Sequence, residues 1–419
     1  MGRSIHFPFP AKLATEQSGD TGHTELGLHS QTVIALLLTA SVVAMLARRL
    51  RFPYSVGLVA AGIVLAALPF APQISLTKDL IFTVLLPPLL FEAAYCIDWK
   101  ELRRNSPVIL VLVTAGVALS AFVTSVGIHY VIHWPWISAA AFGALIAATD
   151  PVSVVSVFRD ANVHSRLRVL LEGESLLNDG TAAVAFGLVI AIAIGSPSAI
   201  PIMAARTVGG GLLCGGAIAM GTLLLAGRTD DHLIEITLTT VAAYGSFLLA
   251  DRWNFSGVLA TITAGLVMAN AQPFNAISEY GRVTVRAFWE YAAFVANSLV
   301  FLLIGLHEAH RHLYAIWLPA SLSIVLVLLG RAVAIYPCCF VFSRSSLRVS
   351  LRDQHLLFWG GMRGALALAL ALGLPAGLPH REEIVSVSFA VVSFSIFVQG
   401  LSIVPLLRGR KGLSVQAPE

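Results

Sequence analysis

Apolar runs of about 17–25 residues follow one another from residue 31 almost to the end of this 419-residue chain. A helix needs about 20 apolar residues to cross a bilayer's hydrocarbon core, and backbone groups in lipid must be satisfied inside the spanning element. The weak alternation of an outer-membrane barrel is absent. Composition agrees: 57% of residues are hydrophobic, only 12% are charged, and the mean hydropathy is +0.82. A soluble domain is about 25% charged. The pattern specifies an all-α polytopic membrane protein, with the lipid bilayer as its principal partner.

Apolar runs and breakers give thirteen spans: 31–47, 53–69, 76–95, 107–128, 136–158, 170–195, 204–227, 232–250, 254–271, 286–305, 316–337, 354–374 and 384–407. Residues 1–30 are polar and read as a loose tail, 31–407 as the transmembrane domain, and 408–419 as a short second tail. Basic residues give the orientation. Of the 27 Lys and Arg, 18 fall in one set of loops, among them Arg48, Arg49, Lys100, Arg103, Arg104, Arg159, Arg166, Arg168 and Arg348. Seven lie on the other side, and Arg331 and Arg363 fall inside spans. The N-terminus is therefore expected outside and the C-terminus in the cytoplasm, in a plasma membrane. The net charge of +4 comes from short scattered loops and does not suggest nucleic acid. Cys96, Cys214, Cys338 and Cys339 form no CxxC pair and read as buried free thiols. No soluble regulatory domain is expected in the chain.

Two spans break their own rules. Span 5 carries Thr149-Asp150-Pro151 near its middle. Proline removes a backbone donor and pushes the preceding residue out of the α region. An Asp there can accept from the freed N–H groups and oppose the positive end of the following half-helix. Alone, this is equally a simple proline kink. Span 12 surrounds Arg363 with Gly360, Gly361 and Gly364, and a cation there can compensate exposed carbonyls. Alone, that is also compatible with a small-residue packing site. Together they imply more. Spans seven apart run in opposite directions, and two antiparallel interrupted helices are expected at the substrate site of an inverted-repeat secondary transporter.

Span 6 begins "LLEGESLLNDGT", placing acids at the edge of, or inside, hydrocarbon, and a charge at a helix centre costs about 2.5–3.5 kcal/mol on insertion scales. At helical spacing Glu174 and Asn178 share one face and Ser175 and Asp179 the neighbouring one, so this narrow polar stripe should face the bundle interior. Glu172 reads as a solvated boundary acid. Span 3 adds Glu92 after Pro87 and Pro88. Span 11 adds Arg331, with no acid in helical reach, so its partner must come from another helix; Glu174 is the first candidate and Glu92 the second. Trp289 and Glu290, and separately His129, His133, Trp134 and Trp136, read as interfacial anchors. Asn297 reads as a helix–helix hydrogen bonder. "HEAHRH" at 307–312 lacks HExxH spacing and is not expected to bind a metal.

"LPPLLFEAAY", "ATDPVSVVSVF", "EGESLLNDGTA", "FVANSLVFLLIGL" and "GGMRGALALALAL", in this order, resemble the monovalent cation:proton antiporter-1 family of NhaP-type bacterial antiporters and animal sodium/proton exchangers. The resemblance spans about residues 31–407. It implies a homodimer of 13-helix protomers, an inverted-repeat fold with unwound crossing helices in spans 5 and 12, and a six-helix core moving against a dimerisation domain. It implies that Asp179 alternately takes a cation and a proton, with Asn178 as its partner. Thr149, Asp150 and Ser175 would line the site, the cation lying at Asp179, Ser175 and Thr149, and Glu92 would complete it. Glu174 matches the acid of a structural ion pair with a core arginine, here Arg331, and Arg363 the arginine of the second unwound helix. An Asn-Asp pair goes with electroneutral exchange, and no cofactor is implied.

The residue chemistry supports this reading. A hard monovalent cation needs oxygen ligands, and one carboxylate among hydroxyl, amide and carbonyl groups supplies them. A buried carboxylate is costly as a bare anion, so cation and proton compete to neutralise it. Sodium is the first expectation and potassium the alternative. A cation channel would favour rings of acids at a subunit axis, and here the acids are singular. An intramembrane enzyme finds no HExxH and no Ser/His or paired-Asp arrangement to support it.

Overall fold

The computed structural model describes residues 20–50, 52–68, 76–150, 165–193, 195, 200–270, 277–308 and 316–408. Every regular element among them is helical. In chain order they are α1 (Asp20–Leu50), α2 (Tyr54–Ala66), α3 (Leu80–Cys96), α4 (Trp99–Ile132), α5 (Trp136–Leu145), α6 (Ser165–Ala193) and α7 (Ile200–Ala226). There follow α8 (His232–Arg252), α9 (Gly257–Ala269), α10 (Glu279–Glu308), α11 (Trp317–Phe340), α12 (Leu351–Gly360) and α13 (Ala365–Leu372). The last, α14, runs through Arg381–Phe394, a π-helical turn at Ser395–Gln399, and Gly400–Arg408. Eight of the described helices are long and apolar enough to cross a membrane, and the bent pair α12/α13 makes a ninth. Helices α2, α3, α5 and α9 are apolar and 10–17 residues long.

Local chemistry starts the helices where the apolar runs need them. Asp98 accepts from the backbone N–H groups of Lys100 and Glu101 at 2.9 and 3.2 Å, opening α4. Asp231 and Ser256 cap α8 and α9 in the same way, and Ser350 caps α12. Each cap satisfies donors that the first turn cannot. The Asp98 cap starts α4 at Trp99, earlier than the apolar run at 107 suggests, because the polar stretch "WKELRRNSP" is itself helical. Likewise α1 begins at Asp20, before its apolar run.

The helices pack in two groups. In the first, α2 lies along α10, α7 packs on α8 and α9, α9 on α3, and α3 on α10. In the second, α4 packs on α5, α6 and α11, and α14 on α11 and α13. α6 also touches α7 and α9, so it lies where the groups meet. Lipid gives little hydrophobic drive between helices, and small residues gain contact by letting backbones approach. Gly62 of α2 and Gly305 of α10 do this: a Cβ on either would stand 2.9 Å from the other's Cα.

Two aromatic expectations are corrected. Trp289 is buried rather than interfacial, its ring centroid 4.5 Å from that of Phe91 and its Nε1 donating to Thr239 at 2.9 Å. Trp134 is also buried, edge-on to Phe142, whereas Trp136 is exposed and stacks on His129. Pro151 to His164, with the second half of span 5 and Arg159, lie outside the described residues, as do residues 309–315 of the "HEAHRH" loop.

Replacing Gly62 with Ala should destabilise the protein by about 1–3 kcal/mol through overpacking, read as a lower thermal midpoint in detergent. Ala at Gly187, which has nothing within 4 Å of its would-be Cβ, serves as the control. Equal midpoints for the two variants would contradict the close α2–α10 contact.

Candidate functional site

Helix α5 ends at Leu145, and the chain from Ile146 to Asp150 leaves helical geometry just before Pro151. Backbone groups freed there must find other partners, and α6 supplies them. The Ser175 hydroxyl donates to the Thr149 carbonyl, and its oxygen lies 3.0 Å from the Thr149 hydroxyl. Asn178 Nδ2 donates to Thr149 Oγ1 at 3.0 Å and to Glu174 Oε1 at 3.0 Å. Thr149, Glu174, Ser175 and Asn178 are all buried.

The other break is the four-residue stretch Gly361–Gly364 between α12 and α13, across which the axis bends by 42°. The two breaks touch: the Asp150 N–H donates to the Met362 carbonyl at 2.8 Å. Gly364 is required by this approach, since a Cβ there would stand 2.5 Å from Asp150 Oδ2. Gly361 gives the same clearance to Arg331, whose Nη2 would lie 2.6 Å from an added Cβ.

Arg331 of α11 reaches Glu174 with both terminal nitrogens, Nη1 to Oε1 at 2.7 Å and Nη2 to Oε2 at 2.8 Å. Nη2 also donates to the Leu357 carbonyl in the last turn of α12 at 2.9 Å. A bidentate pair of this kind is the geometry that offsets desolvation of two charges. Arg363, in the second break, is 2% exposed and, among the described residues, makes one long hydrogen bond, to the Gly361 carbonyl at 3.3 Å.

Two acceptors stand apart from this network. Asn178 Oδ1 and Asp179 Oδ1 are buried and have no hydrogen-bond partner among the described residues. They belong to consecutive residues one turn beyond Ser175, and the amide nitrogen of Asn178 already holds the Thr149 hydroxyl. Among the described residues, Asp150 and Glu174, both acidic, lie near enough to act on Asp179. A cation at Asp179 would feel all three carboxylates, with carboxylate, amide, hydroxyl and carbonyl oxygens available as ligands.

Of the residues singled out in the sequence, Thr149, Asp150, Glu174, Ser175, Asn178, Arg331 and the Gly361–Gly364 break are brought together. Glu92 keeps different company. It lies on α3 beside the Cys96 thiol, and it shares that neighbourhood with Arg286 and Glu290. Glu172 pairs with Arg168 at 2.7 Å at the start of α6. One organising residue had no signal beyond its place in a basic loop. Arg166 donates to Asn105 Oδ1 and to the carbonyls of Arg348 and Leu347 at 2.9, 2.9 and 2.7 Å. It ties the starts of α4 and α6 to the segment before α12.

Comparison with known proteins places this geometry among relatives. The family model described as "Sodium/hydrogen exchanger, transmembrane" matches residues 34–409. The Na(+)/H(+) antiporter ApNhaP of Aphanothece halophytica is 37% identical over 357 residues, covering 84% of this chain and 68% of that protein. The Na(+)/H(+) antiporter NhaP of Pseudomonas aeruginosa is 34% identical over 346 residues, covering 79% and 81%. The structure of the sodium proton antiporter MjNhaP1 from Methanocaldococcus jannaschii at pH 8 superimposes with a TM-score of 0.75 at 20% identity. That match covers 91% of this chain and 98% of that one.

Removing one member of the Arg331–Glu174 pair strands a buried charge. Glu174→Gln and Arg331→Met should each cost about 3–5 kcal/mol, and the double variant should cost less than the sum. A double-mutant cycle on unfolding midpoints in detergent measures this; strictly additive losses would contradict the pairing.

Proposed function

The chain belongs to the sodium/hydrogen exchanger family, and on that premise we propose that it exchanges sodium for protons across the membrane by alternating access at Asp179. The observation that carries this is the pair of buried acceptors on consecutive residues, Asn178 Oδ1 and Asp179 Oδ1, that have no partner among the described residues, on the helix that holds the broken end of α5. The relatives' names, Na(+)/H(+) antiporters, supply the cargo.

In this mechanism sodium is held by Asp179, Asn178 Oδ1, Ser175 and Thr149, with Asp150 contributing field. Glu92, set against Cys96 and Arg286, is left out of the set. A carboxylate left bare in this surrounding is strongly disfavoured, so it is occupied by either a sodium ion or a proton. Glu174 is committed to Arg331 and carries no proton in the cycle. One exchanging carboxylate gives one proton for one cation, an electroneutral exchange.

The architecture follows the same reading. Counting the four shorter apolar helices with the nine longer ones gives thirteen spans, with the broken end of α5 set against the break of the α12/α13 pair. The N-terminus lies outside and the C-terminus in the cytoplasm of a plasma membrane, as the arginine-rich loops require. The second helix group is the moving core, the first a scaffold through which two copies pair. α6, at the boundary, carries the site between the two faces. No cofactor is called for.

The test is dissipation of a pH gradient in proteoliposomes by sodium, lithium or potassium, with and without a clamped potential. The expected result is sodium-driven proton movement, indifferent to voltage, that falls in Asp179→Asn to the level of protein-free vesicles. Response to potassium alone would make this a potassium/proton exchanger, and transport retained by Asp179→Asn would overturn the mechanism.

A further inference from the structure

Behind the Arg331–Glu174 pair, away from Asp179, lies a small cavity between α11, the Gly361–Gly364 break and the π-helical turn of α14. It has room for about one water-sized particle. Its walls are mostly apolar, from Ile324, Val327, Leu328, Val391 and Phe394. Four polar side chains reach it: Arg331, Arg363, Ser395 and Gln399.

Both guanidinium groups are buried, Arg331 at 4% exposure and Arg363 at 2%, and the Nε of each has no hydrogen-bond partner among the described residues. Among the described residues the charges do not pair off one to one. Glu174 is near enough to act on Arg363, but its bidentate pair is with Arg331. α11 and α13 contain no acid, and Asp353 of α12 and Glu382 and Glu383 of α14 sit in first turns. Glu383 is twelve residues before Ser395, about 18 Å along the helix. Asp150 meets the break from its other side, against Gly364. A water molecule could accept from either Nε–H, yet it would leave the charge of Arg363 in an apolar wall, which is expensive.

The lining also suits an anion. Gln399 Nε2 donates to the Trp359 carbonyl at 3.2 Å, fixing the amide beside the cavity. Ser395, buried, stands at the other end of the same π turn. Such turns are frequent at functional sites, and the described residues hold others in α3 and α4. We propose that this cavity is a resident binding site for one chloride-sized monovalent anion, held by the Arg331 and Arg363 guanidinium groups with Ser395 and Gln399. The anion balances Arg363 and braces the α12/α13 break against α14. It is not cargo, and the site is separate from the cation site at Asp179.

The test uses the purified full-length protein and does not depend on transport. Unfolding midpoints are measured in sodium chloride and in sodium gluconate at equal sodium and ionic strength, and bromide is located by anomalous scattering from crystals grown in sodium bromide. The expected result is a midpoint that rises saturably with chloride, and bromide density between Arg331, Arg363 and Gln399. The chloride-dependent shift should be lost in Gln399→Leu and reduced in Ser395→Val. Equal midpoints in chloride and gluconate, or a cavity holding water but no bromide, would overturn the proposal. Because sodium/proton exchange is read separately, its presence or absence bears on the cation site and leaves this result intact.

Discussion

A guanidinium in the middle of an apolar membrane helix has to be neutralised within reach of its own side chain, and Arg331 meets this through Glu174. The rest of the core is arranged around that pair. Arg331 comes from α11, Glu174 from α6, and the third bond of the guanidinium goes to the Leu357 carbonyl in the last turn of α12. Glu174 Oε1 in turn accepts from Asn178, which also holds Thr149 at the broken end of α5. One polar chain thus joins four helices. It leaves Asp179 as the carboxylate of this stripe not spent on holding the fold together.

The breaks are the second consequence. A helix carries no free backbone groups along its middle, so a polar site in hydrocarbon requires the helix to stop. The structure stops α5 after Leu145 and α12 after Gly360, and the freed groups meet, Asp150 N–H to the Met362 carbonyl. Glycines at 361 and 364 allow this, since a Cβ at either would run into Arg331 or Asp150. In the exchanger reading, the same arrangement lets the cation meet carbonyl, hydroxyl and carboxylate oxygens at once, on a helix lying where two packed groups of helices meet.

Most of the helical order was legible in the sequence, because a membrane helix is written as an apolar run of a set length. Each of the first eleven runs has its helix among the described residues, although α4 and α1 begin earlier where polar turns are also helical. The polar stripe on α6 was legible for the same reason: Glu174, Ser175, Asn178 and Asp179 stand at helical spacings. What spacing cannot express is contact between helices. Arg331 and Glu174 are 157 positions apart, and nothing in the run around Arg331 ranks Glu174 above Glu92 except chemistry. Trp134 and Trp289 show the limit. Each was read as an interfacial anchor from its place near the end of a span, yet its neighbours decide what it does: Phe142 for Trp134, and Phe91 with Thr239 for Trp289. Arg166 and the cavity by Arg363 left no pattern in the sequence at all.

The central claim is that one carboxylate, Asp179, is held either by a sodium ion or by a proton. The most direct measurement adds sodium chloride to the solubilised protein in weakly buffered solution and counts the protons released per sodium bound, with choline chloride as the control. The account predicts close to one proton for each sodium where Asp179 starts protonated, and none in Asp179→Asn. Sodium binding without proton release at every pH, or undiminished release from the variant, would contradict it.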